Sequence, residues 1–136
     1  MVCLRWRVAY WLVWMVFSSS ILPVAASESA FPFDQELMLD VAPMRGSKRV
    51  PILEVDENGA ATIDLWCTSV RAAANVAADS ITIVPAQPDA AQCTPERQSS
   101  DDSLLAALAQ VTNWRRSGDV VDLIGATTLR FRLMTN

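Results

Sequence analysis

The chain has 136 residues, 11 basic and 15 acidic side chains and no histidine, which is room for one domain but not for two ordinary ones. Without histidine the commonest general base, the Ser–His and Cys–His nucleophile pairs and the commonest zinc ligand are all missing. An acidic chain with scattered arginines also lacks the concentrated basic face that phosphate backbones require, so nucleic acid is excluded as a partner.

The first residues read as an export signal. Arg5 and Arg7 are a short positive segment, residues 8–17 are an unbroken apolar run, and Val24-Ala25-Ala26 supplies small residues. Positive, apolar and small, in that order, is the secretory pattern. The competing reading is a retained anchor, but a spanning helix takes about 20 apolar residues, and Ser18, Ser19, Ser20 and Pro23 interrupt this run sooner. Cleavage is expected after Ala26, with Ala30 the alternative. The layout is then a signal peptide at 1–26, a flexible lead-in at 27–35 tacked down by Phe31 and Phe33, and one domain at 36–136. Losing Arg5 and Arg7 leaves nine basic against fifteen acidic residues. No cysteine stands just after the apolar run to take a lipid. The mature form is expected in the periplasm or secreted, with no stable membrane insertion.

Cys3 leaves with the signal, so Cys67 and Cys93 remain, an even number in an oxidising compartment. They allow one intramolecular pairing, and closing a loop of that length contributes about 3–4 kcal/mol on the chain-entropy estimate. A reactive thiol lacks a histidine partner, and two thiolates alone make an incomplete zinc site. A structural disulfide is the expected state.

Along the mature chain, residues 36–42 alternate, with Leu37, Leu39 and Val41 on one face, and predict a strand. Residues 43–49 (PMRGSKR) are a turn cluster, and residues 50–56 a second strand. Glu57-Asn58-Gly59 is a tight turn, because Asn-Gly adopts positive φ readily. Residues 61–67 (ATIDLWC) place Ile63, Leu65 and Cys67 on one face and Thr62, Asp64 and Trp66 on the other. Residues 70–77 alternate weakly through alanines and are read as strand, and residues 80–84 form another that Pro85 closes. Residues 85–100 are polar and proline-containing; a loop this long needs a tether, which Cys93 supplies.

One helix follows. Ser99 or Ser100 caps it, Asp101 and Asp102 occupy its first turn, and Leu104, Leu105, Leu108 and Val111 form its apolar stripe. It is expected to end near Thr112-Asn113. Trp114-Arg115-Arg116, residues 120–124 and residues 128–133 then form a meander. In its last strand Leu129, Phe131 and Leu133 face the core while Arg130 and Arg132 face out. The fold class is α+β: about eight short, mostly antiparallel strands in a sheet able to close as a barrel, with one amphipathic helix before a C-terminal meander.

This order of elements resembles the META domain family, which includes exported bacterial heat-inducible proteins and kinetoplastid virulence-linked proteins. The resemblance spans residues 59–133 and is strongest at Gln92-Cys93-Thr94-Pro95-Glu96 and in the Leu-rich helix and meander at 104–131. Where members usually carry Gly-Cys-Asn, this chain has Trp66-Cys67-Thr68, and the strand at 70–77 lacks the family's aromatic residue. The resemblance implies fold, export and an association with stress. It implies no catalytic residues.

Constellations that suggest chemistry are weak. Ser47-Lys48 are adjacent and cannot readily aim at each other, and a solvated lysine is no base. Asp56-Glu57 and Asp101-Asp102 lack the ligand spacing of a calcium loop. No cofactor and no metal is expected. If the final strands pair as a meander, Arg115, Arg116, Arg130 and Arg132 could form one basic stripe, whether one surface or two being left open by the sequence. They are read either as a salt-laced outer face or as a site for an anionic partner. Trp66 is either an exposed partner anchor or packed under the loop near Cys67. The expected function is a non-enzymatic envelope module acting on an unidentified envelope component or protein partner. The alternative is a small secreted inhibitor or protein-binding module using the loop at 85–100.

Overall fold

A computed structural model describes residues 30–89 and 92–135; the signal peptide read at 1–26 lies outside the described residues. Eight strands follow one another around a closed antiparallel barrel: β1 (Leu37–Leu39), β2 (Ile52–Val55), β3 (Ala60–Asp64), β4 (Ser69–Ala77), β5 (Ser80–Pro85), β6 (Asn113–Ser117), β7 (Val120–Ile124) and β8 (Leu129–Leu133). The β1–β8 pairing, Leu37↔Leu133 to Leu39↔Phe131, closes the ring. One helix, α1 (Pro95–Leu108), is inserted between β5 and β6.

The period-two alternation of the sequence becomes the inside and outside of this barrel. Leu37, Leu53, Val55, Ile63, Val121 and Phe131 are almost fully buried. An eight-stranded barrel is just wide enough for such side chains to fill it, so the interior is a core and not a ligand cavity. The weakly alternating alanine segment is the long strand β4, whose Val70 points inward and is buried while Arg71 is exposed.

In a barrel of sequential antiparallel strands, the connections leaving β1, β3, β5 and β7 all emerge at the same end. The helix lies across that end. Asp101 of α1 reaches the β3–β4 turn, Arg97 reaches the β1–β2 loop at Gly46, and the β7–β8 turn touches the segment after α1. A Cβ on Gly125 would stand 2.4 Å from the Gln110 carbonyl oxygen, so that close approach requires glycine. The helix is needed because β5 and β6 scarcely pair: Ser80↔Asn113 is their sole register pair, supported by Ile81 N–H to the Thr112 carbonyl at 3.0 Å and Trp114 N–H to the Asp79 carbonyl at 2.9 Å. Beyond Ile81 the two strands diverge, and Leu104, Leu105 and Leu108 of α1 are buried there.

At the opposite end the lead-in is anchored by aromatics. Phe31 is buried and meets Trp114 edge-on, with ring centroids 5.2 Å apart, and Phe33 at 5.0 Å. The Trp114 indole N–H donates to the Ala77 carbonyl at 3.3 Å.

Three sequence expectations are corrected. The helix begins at Pro95 and not at 99–101, so residues 95–100 of the segment read as loop at 85–100 are helical; Thr94 occupies the cap position, with Pro95 in the first turn, where its missing N–H costs nothing. Asp101 and Asp102 therefore lie mid-helix. The helix also ends earlier, at Leu108, because Asn113 is already in β6. Finally β3 stops at Asp64, so Leu65 to Thr68 form a turn and not the end of a strand.

The β2–β3 turn depends on Gly59, whose φ is +85° and whose added Cβ would lie 2.5 Å from the Ala74 carbonyl oxygen. Replacing Gly59 by alanine is expected to cost about 2 kcal/mol, measured as a lowered urea midpoint at unchanged slope. An unchanged midpoint would show that the turn tolerates a side chain.

Candidate functional site

The chemistry of the molecule concentrates at the helix-covered end. The turn between β3 and β4 is held to α1 in two ways. Cys67 and Cys93 form a disulfide, their Cα atoms 5.9 Å apart and 26 positions apart in sequence. About two turns further on, the Asp101 carboxylate of α1 accepts the backbone N–H of Trp66 at 3.0 Å and of Cys67 at 3.1 Å. Asp101 is only 4% exposed. Burial raises its carboxyl above the ordinary 3.8, against the opposing pull of the N–H groups of Trp66, Cys67 and Thr68. A buried carboxylate is tolerable only when its lone pairs are used, and here they fix the turn.

Holding the turn there creates a cleft of about 720 Å³ between three chain segments, with Ser47 and Arg49 from the β1–β2 loop, Trp66 from the turn, and Gln92, Thr94 and Arg97 from the approach to and first turn of α1. Arg97 donates to the Gly46 carbonyl at 3.1 Å, tying the loop to the helix. Arg49 lies 3.9 Å from the Asp64 carboxylate and 3.5 Å from the Ser69 hydroxyl. Ser69 also donates to Asp64 across the β3–β4 pair. Trp66 is half-buried against the core. Its indole N–H is buried and has no acceptor, whereas a buried indole N–H normally finds one.

The META domain family model matches residues 37–135, from the first strand to beyond the last. The chain belongs to the META domain family. Comparison with curated proteins and with solved structures gives no match. Family membership thus extends beyond the stretch at 59–133 to all eight strands of this META barrel.

On the outer face of the META barrel the structure separates the four arginines. Arg115, Asp122 and Arg130 are register partners on β6, β7 and β8, and Asp122 takes Arg115 at 3.1 Å and Arg130 at 3.0 Å. Arg132 pairs with Asp40 at 3.1 Å. Arg116 does not join them. Adjacent strand residues point to opposite faces, and Arg116 reaches round the other side to the carbonyls of Gly118 at 2.9 Å and Ala30 at 3.3 Å. Three of the four arginines share a surface, and their charge there is largely met by Asp122 and Asp40. Among the described residues no group of three or more His, Cys, Asp or Glu side chains is placed to hold a metal ion, and no helix is long and apolar enough to cross a membrane.

Sequence reasoning singled out Trp66, Cys67 and Cys93 but missed Arg49, Arg97 and the anchoring role of Asp101. One signal was present. Thr94-Pro95-Glu96 is a helix start, and reading it so places Arg97 in the first turn beside Cys93.

Asp122 generates a pH dependence. The hydrogen bond from Arg130 is the main reason its carboxyl is held below the ordinary 3.8, and Arg115 acts in the same sense. The folded chain therefore gives up this proton more readily than the unfolded chain. The resulting stabilisation is present above 3.8 and is lost as pH falls below it. Asp101, shifted the other way, contributes an opposite slope just above 3.8, common to wild type and to an Asp122 variant. Asp122→Asn is expected to lower stability by about 1 kcal/mol at pH 7, the exposed guanidiniums limiting the loss, and the difference should shrink towards zero in more acidic denaturation series. A difference that stays constant with pH would contradict the pairing.

Proposed function

We propose that this META domain is a non-enzymatic exported module of the cell envelope that binds or protects an envelope component. The observation that carries the reading is the Cys67–Cys93 disulfide, since such crosslinks persist in oxidising compartments and are rare in reducing ones. The positively charged, apolar and small-residue order of the first 26 residues supports the same destination. The lack of histidine supports a role in binding over one in catalysis.

How such a module would bind follows from its barrel. The interior is packed by side chains, one end is covered by α1 and the other by Phe31. A ligand must therefore be met on the outside, and the cleft around Trp66 has the volume of a small-molecule site. A stress-related role rests on the family alone.

The test is the intact mass of the full-length chain expressed in a Gram-negative host and recovered from the periplasmic fraction, alkylated with and without prior reduction. The expected species begins at Ser27 and exposes two thiols only after reduction. A full-length species with free thiols, confined to the cytosol, would overturn the reading.

A further inference from the structure

We propose that the cleft between the β1–β2 loop and the start of α1 binds a small oxyanion, a carboxylate or phosphate borne on a planar apolar group, held between Arg49 and Arg97 with its apolar part against Trp66. This rests on the exported binding-module reading and names the ligand chemistry that module would take.

The charge distribution is the first argument. The chain has more acidic than basic residues, yet Arg49 lines one wall of the cleft and Arg97 another, with Arg45 and Lys48 in the same loop as Arg49. On the meander face each exposed outer arginine has a carboxylate within about hydrogen-bond distance. At the cleft the only carboxylate within reach is Asp64, 3.9 Å from Arg49, and Arg97 has no ion-pair partner among the described residues. A cleft lined by one sign of charge attracts the other, and guanidiniums match the planar oxygens of carboxylate and phosphate.

The placement of Arg97 points the same way. A cation in the first turn of a helix opposes the helix dipole, and Thr94 supplies no side-chain cap to the free N–H groups there. Glu96 is the one acidic side chain of this first turn, and a bound oxyanion would add to it at the N–H groups that Thr94 leaves uncapped. Trp66 is the third element. It lines the cleft with an aromatic surface, and its indole N–H is the one buried side-chain polar atom without a partner among the described residues. The other described tryptophan, Trp114, has its carbonyl.

The test is a titration of the ¹⁵N-labelled, disulfide-bonded protein followed by amide and indole N–H cross-peaks, that of Trp66 being assigned by its loss in Trp66→Phe. The probes are phenyl phosphate, benzoate and the uncharged phenol. Saturable shifts of the Trp66 indole and of the amides at 92–97 are expected with one or both anions, and binding of phenol at least about tenfold weaker. Phenyl phosphate alone would mark a phosphate site, and both anions a general oxyanion site. Arg97→Gln should weaken anion binding by about tenfold, Arg49→Gln should weaken it also, and Arg115→Gln should leave it unchanged. Unperturbed barrel cross-peaks in each variant establish that it is folded. Absence of saturation with both anions, equal binding of phenol, or equal loss in Arg115→Gln would overturn the proposal. Failure here in a protein that is exported and crosslinked leaves the envelope reading standing, whereas retention in the cytosol removes that reading without altering the titration.

Discussion

The Asp101 carboxylate, buried between α1 and the turn that carries Trp66 and Cys67, is the constraint from which the helix-covered end of the molecule is built. The barrel needs such an anchor because its β5–β6 seam is held at one end only. An open seam exposes unpaired backbone and the interior apolar residues beneath it, both costly. The helix covers them with Leu104, Leu105 and Leu108, but those three side chains do not by themselves fix where its polar N-terminal half rests. The carboxylate and the adjacent disulfide do that. Fixing the helix against the turn and the β1–β2 loop leaves the cleft between them, so the same contacts that stabilise the fold also shape the candidate site.

The two charged regions illustrate how similar residues acquire different roles. Asp122 is register partner to Arg115 and Arg130, and the long arginine stems shield it, as such side chains commonly do when their heads remain in water. That arrangement is self-contained and needs no ligand. Around Trp66 the cations are distributed over two walls with little to neutralise them. The contrast comes from topology. Strand neighbours are locked into register, where opposite charges meet, whereas loop and helix residues face each other across a gap.

Much of the barrel was legible because interior positions must alternate with exterior ones, and Ile63, Val121 and Phe131 declare that period directly. The residues between Pro95 and Ser100 were misread for an equally physical reason. They are polar and mostly exposed, so the apolar stripe that betrays a helix starts only at its tenth position, Leu104. Whether the four arginines share one surface was open in the sequence, and strand alternation settles Arg116 on the face opposite Arg115. The cleft was illegible for a different reason. Arg49, Trp66 and Arg97 come from three distant segments, and only barrel closure with the helix across one end brings them together. Local spacing carries only the Thr94-Pro95-Glu96 helix start, which sets Arg97 near Cys93 but says nothing of Arg49 or Trp66.

Asp101 holds the β3–β4 turn under the helix. Amide hydrogen exchange in the disulfide-bonded Asp101→Ala protein measures this most directly. The Trp66 and Cys67 amides should lose their protection, while the amides of Leu53 and Ile63 in the barrel wall retain theirs. Unchanged protection at Trp66 and Cys67 would contradict the claim and leave the disulfide as the sole anchor of that end.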